Sequence, residues 1–149
     1  MSIHKFLSAC LVFVLCNAAW GCVDMSSIHG FFVLEAPNGE KLYFRREAWG
    51  LNDDHLSLTT NNNVCSKPDP ATDVIFVTHG TTVFYKFEGT VVHIYNTSMP
   101  EMPKDFSEKI TVVPHKLTNP EFLALRDGRL VELGLTLVAV ELDESIKCP

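Results

Sequence analysis

The chain has 149 residues, 46% of them hydrophobic, and a formal net charge of −6. That length suits one domain with one modest core. The acidic balance speaks against nucleic-acid binding, where phosphates ask for patches of Lys and Arg.

Residues Met1 to Gly21 read as a secretory signal peptide. Lys5 is the only cation of a short n-region, an apolar stretch runs from Phe6 to Cys16, and Ala18-Ala19-Trp20-Gly21 supplies small residues at the cut. The apolar run is shorter than the roughly 20 residues that a membrane-spanning helix needs. A single domain is then expected over residues 22–149. Loss of Lys5 leaves 11 basic against 18 acidic residues, a net charge of −7. Such a surface serves solubility and would attract a basic protein.

Cys22, Cys65 and Cys148 remain in that segment, and an odd count in an exported chain leaves one to explain. Cys22 follows the cut directly, where bacterial lipoproteins carry their lipid-accepting cysteine, although Trp20 is bulkier than the residue usual there. Two readings stand: lipidation of Cys22, which would anchor the domain to a membrane, or ordinary cleavage after Gly21. With Cys22 set aside, Cys65 and Cys148 are an even pair. A disulfide between them is expected, the rival being a free buried Cys65 and a frayed tail.

Gly30 to Arg45, GFFVLEAPNGEKLYFR, holds two aromatic-rich runs around Pro37-Asn38-Gly39. Pro fixes φ and Gly accepts the left-handed position, so a hairpin is predicted with Leu34 near Leu42 and Phe32 near Phe44. Arg45 and Arg46 beside Trp49 are read as a solvated strand end in preference to a cation–π site. Asn52-Asp53-Asp54 reads as a turn, His55 to Thr60 as a strand, and Asn61-Asn62-Asn63 as a second turn. Thr72 to Tyr95 reads as a three-stranded meander with tight turns at His79-Gly80 and Glu88-Gly89. That register puts Phe76, Val83 and Ile94 in one row and Val74, Tyr85 and Val92 in the next. The apolar face so formed needs a second layer to cover it. The opposite, mixed face carries Phe84, His93 and Tyr95.

Beyond Tyr95, the Pro-rich stretch NTSMPEMPKDFSEK reads as a connection between sheets. KITVVP is a short strand whose closing Pro114 suggests an edge or a strand end. Phe122 to Arg126 is set against Arg129 to Leu133 across Asp127-Gly128 as a hairpin, with a short helical turn over Asn119–Phe122 before it. Leu135 to Leu142 reads as one strand buried on both faces. Regular short strands with turn signals predict an all-β fold. An immunoglobulin-like β-sandwich of short antiparallel strands is the first expectation, a small β-barrel the alternative.

Motifs that carry chemistry are not found. His29, His55, His79, His93 and His115 form no H-x-H or H-E-x-x-H spacing, so no metal is expected. There is no G-x-S-x-G and no Gly-rich phosphate loop. The acids Glu35 with Glu40, and Asp53 with Asp54, sit at expected turns where carboxylates are simply wet. The reading is a non-enzyme without catalytic residues or cofactor. Asn96-Thr97-Ser98 is an N-glycosylation sequon, which matters only in a eukaryotic secretory pathway.

The stretches NNNVCSKPDPATDVIFV, VVHIYN, KITVVP and FLALRDGRLVELGLTLVAVELD, together with the Cys after the signal, resemble the periplasmic immunity lipoproteins of bacterial type VI secretion systems. The resemblance covers Asn61 to Asp143. It implies an immunoglobulin-like sandwich, tethered by Cys22, that binds and blocks a protein toxin delivered into the periplasm, often a phospholipase-type effector. Val23 after Cys22 would favour the outer membrane, by resemblance to enterobacterial lipoproteins. The resemblance carries over no contact residues. The first candidates for a partner-binding surface are Met99, Met102 and Phe106 in the loop from Ser98 to Phe106, and the acids Asp53 and Asp54. A second reading is a secreted lectin-like or lipid-binding β-domain that uses Phe84, His93 and Tyr95.

Overall fold

The computed structural model describes residues 28–49, 53–76 and 82–148. The expected signal segment, Cys22 and the expected His79-Gly80 turn lie outside the described residues. The chain forms an all-β sandwich of two sheets. The first contains β1 (Ile28–Glu35), β2 (Lys41–Trp49), β3 (Asp53–Thr59), β4 (Val74–Phe76) and β9 (Leu142–Asp143), in the order β4-β3-β2-β1-β9. The second contains β5 (Phe84–Glu88), β6 (Val91–Asn96), β7 (Thr111–Lys116) and β8 (Thr136–Leu137), in the order β7-β6-β5-β8. The two packed layers make the expected β-sandwich, and the first sheet runs through β1 to β4 consecutively.

Local chemistry explains the first hairpin. The Gly39 N–H donates to the Ala36 carbonyl at 2.8 Å, closing a turn over Pro37-Asn38, and Gly39 takes φ 81°. Leu34 stands opposite Leu42 and Phe32 opposite Phe44, as the sequence predicts. Alternation then turns Leu34, Leu42, Phe44, Leu58, Val74 and Phe76 toward Val83, Val92 and Ile94 of the facing layer, and all nine are at most 2% exposed. Each fully buried side chain of this kind contributes about 1.5–3 kcal/mol over an exposed one. This is the core.

The expected meander is divided between the layers. β4 pairs with β3, Leu56 lying opposite Phe76, while β5 and β6 form a hairpin in the other sheet. There Tyr85 faces Ile94 and Phe87 faces Val92, two residues away from the predicted register. A two-residue shift preserves which side chains share a face. Tyr85, Phe87, Val92 and Ile94 accordingly still point to the core.

The second sheet is mixed, because β7 runs parallel to β6. Parallel neighbours need a crossover of a dozen or more residues, and residues 97–110 supply it. On the way, Glu101 bridges antiparallel to Ile75, so the crossover caps the edge of β4. Pro114 lies on β7, the outermost strand, where a missing N–H is tolerated.

Two expectations near the C-terminus are corrected. Residues 122–133 are not a hairpin. Helix α1 (Asn119–Ala124) begins at an N-cap Thr118, with Glu121 completing a reciprocal capping box and Pro in the first turn. A wide turn of helix follows over Leu125–Arg129, broken at Gly128 with φ 119°. This segment covers the outer face of the second sheet, where Phe84, Leu125 and Leu135 are buried with Phe122 and Leu130 packed against them. Nor is Leu135 to Leu142 one doubly buried strand. It pairs with β5 through Thr136 and Leu137, then crosses to pair with β1 through Leu142 and Asp143.

Candidate functional site

The crossover loop presents the clearest unpartnered apolar surface of the predicted positions. The Glu101 N–H donates to the Ile75 carbonyl at 2.7 Å, and the Ile75 N–H to the Glu101 carbonyl at 3.0 Å. Farther on, Ile110 is buried in the core and Lys109 Nζ lies 3.1 Å from Glu40 Oε2. Between these moorings Met99 and Met102 stand 49% and 42% exposed on either side of Glu101. Unbranched, polarisable side chains of this sort adapt to an irregular surface. Held on a backbone already fixed at Glu101, they lose less freedom on binding. Phe106, the third predicted position of the loop, is half-buried and packs against the core.

The predicted acids are placed elsewhere. Asp53 and Asp54 begin β3 rather than a turn, opposite Trp49 and Ala48; the Asp53 side chain lies outside the described atoms. Asp54 is committed within the molecule. Its carboxylate accepts from Arg46 Nε at 2.9 and 3.1 Å and from Nη2 at 2.6 Å. The bond to Asp54 raises Arg46 above the usual arginine range, more than burial opposes it. This pair borders a cleft of about 430 Å³ lined also by Leu56, Phe84, Leu137 and Val140. Within it the Arg46 guanidinium also lies against the Val140 carbonyl, 3.3 Å from Nη1.

Arg45 is not a solvated strand end either. It is 5% exposed, with Nη2 2.5 Å from Asp73 Oδ2 and Nη1 donating to the carbonyls of Ser66 at 2.6 Å and Asn63 at 3.3 Å. Burial pulls the guanidinium below the usual arginine range, and Asp73 offsets part of that. Loop 60–73 is thereby folded over the first sheet. Within it Cys65 is disulfide-bonded to Cys148, as expected, with Cα atoms 5.2 Å apart.

The mixed face divides into a covered and an open half. Phe84 is only 1% exposed and sits 5.8 Å, ring centre to ring centre, from Phe122. A ligand face built on Phe84 is therefore already occupied. Asn96 is 3% exposed, so its sequon is not presented by the folded chain. The open half holds His93 and, unforeseen in the sequence, His115. His93 Nδ1 and His115 Nε2 are 2.8 Å apart, and Tyr95 stacks on His115 at 4.5 Å and 12°. Glu88 Oε2 lies 3.4 Å from His93 Nε2, and Lys86 Nζ is 2.6 Å from Glu88 Oε1. The two imidazole centres are 5.1 Å apart, which is as far as rings joined by that N···N contact can stand. The nitrogens thus face each other along one line, as in an N–H···N hydrogen bond. Among the described residues no group of three or more His, Cys, Asp or Glu is placed to hold a metal ion.

Comparison with family models, with curated protein sequences and with solved structures finds no match to this chain.

Proposed function

We infer that this β-sandwich is an exported, non-catalytic immunity or inhibitor module that binds a secreted toxin effector and occludes its active cleft. The observation that carries this reading is the pair Met99 and Met102, exposed on a loop whose backbone is pinned at Glu101 to β4. Pre-organised apolar anchors on a fixed edge suit a blocking surface, which works by contact alone. The acidic balance of the chain adds steering toward a basic partner. In the same reading, the signal segment delivers the chain to the periplasm, and Cys22 holds it by lipid, facing inward from the outer membrane.

The test uses the processed chain and a secreted effector encoded next to its gene, which this reading requires. Met99→Ser with Met102→Ser should weaken effector binding by at least about tenfold, measured by calorimetry or interferometry. Unchanged affinity, with the fold intact by circular dichroism, removes this loop as the docking surface. Absence of any binding to the neighbouring effector removes the immunity reading itself. Mass spectrometry of the mature N-terminus should find Cys22 triacylated; an unmodified amine there would discard the anchor.

A further inference from the structure

We propose that the His93–His115 pair is an acid-sensitive latch that holds β7 to β6, and that it opens when the pair takes up a second proton. β7 is the outermost strand of its sheet, tied laterally to β6 alone. Through Tyr95 opposite His115 and His93 opposite Val113, the parallel register brings the two imidazoles together on the exposed side of that seam. Neutral imidazole carries one donor and one acceptor. With Glu88 beside His93 Nε2, the consistent arrangement has His93 donating to Glu88 and accepting from His115. One added proton leaves the bond in place, with donor and acceptor exchanged. A second leaves two N–H donors and two like charges face to face.

The surroundings make that second proton costly. Among the described residues, the charged and titratable groups facing the pair are Lys86 and Glu88 from β5 and Tyr95 from β6. Glu88 is the only anion of the group, and Lys86 already engages it. That bond holds the Glu88 carboxylate below its usual range, so it stays ionised throughout the window. Burial, then the charges of His93 and Lys86, hold His115 below the usual histidine range, with Glu88 opposing. The unfolded chain therefore binds more protons than the folded one as pH falls through that range. Stability contributed here is complete above the ordinary histidine pKa and lost on acidification.

Hydrogen exchange of the β7 amides, corrected for intrinsic rates, tests the latch on the intact domain. Between pH 7.5 and 5.5 (about one unit either side of the ordinary histidine pKa), exchange at residues 111–116 should rise several-fold more than in the β1–β2 hairpin, up to about tenfold, the most that one imidazole contributes over that range. His115→Gln, which keeps an N–H donor without titrating, should flatten that difference. The latch is overturned if β7 follows the hairpin at every pH, or if the Gln variant keeps the wild-type profile. Should the variant fail to fold, the wild-type comparison of the two regions still decides.

Discussion

Arg45 and Arg46 are adjacent, and the strand sends them to opposite faces with different fates. Arg46 reaches a partly exposed Asp54, whereas Arg45 and Asp73 have side chains only 6% and 4% exposed. Removing one member of a buried pair leaves an uncompensated charge, so Asp73→Ala is expected to cost about 3–5 kcal/mol in urea unfolding. Asp54→Ala should cost about 1 kcal/mol or less, because water screens that pair. Neither partnership is written in the spacing of the sequence: Asp73 lies 28 positions beyond Arg45, and only the folding of loop 60–73 brings it back. His115 was missed for the same reason. Its contact with His93 depends on a parallel register that local turn chemistry does not determine.

Elements bounded by strong turn residues were legible, and those reached by a change of layer were not. Pro37-Asn38-Gly39 specified the β1–β2 hairpin to the residue. Pro114 marked an edge, and β7 is one. Glu88-Gly89 pointed to the right hairpin with the turn displaced, since Glu88 pairs with Val91 and leaves Gly89-Thr90 as the loop. Asp127-Gly128 misled, because the same left-handed glycine that closes a hairpin can interrupt a helix; the capping box from Thr118 to Glu121 was the competing signal. The closing run could not be read as two strands, since apolarity alone does not say where a chain leaves one sheet for another. Its second half depends on Gly30. A Cβ there would stand 2.3 Å from the Glu141 carbonyl oxygen. Gly30→Ala should push β9 off β1 and cost about 1–3 kcal/mol, with the loss of protection confined at first to residues 28–30 and 141–143.

At the scale of the whole molecule, two sheets around one apolar core were predictable from the number and spacing of short β-rich runs. The order of strands was not, since it depends on which layer each run joins. The Cys65–Cys148 bridge spans 83 residues. By the loop-closure account, Cys65→Ser with Cys148→Ser should lower unfolding free energy by about 4–5 kcal/mol, measured against the oxidised wild type. The first and last strands of the described chain are neighbours, His29 lying opposite Asp143 and Gly30 opposite Leu142. A nascent polypeptide consequently has an open seam beside β1 until Leu142 and Asp143 have been made. A chain halted before those two residues would carry that seam unpaired, so truncation there is expected to leave the edge of β1 free to pair with another strand.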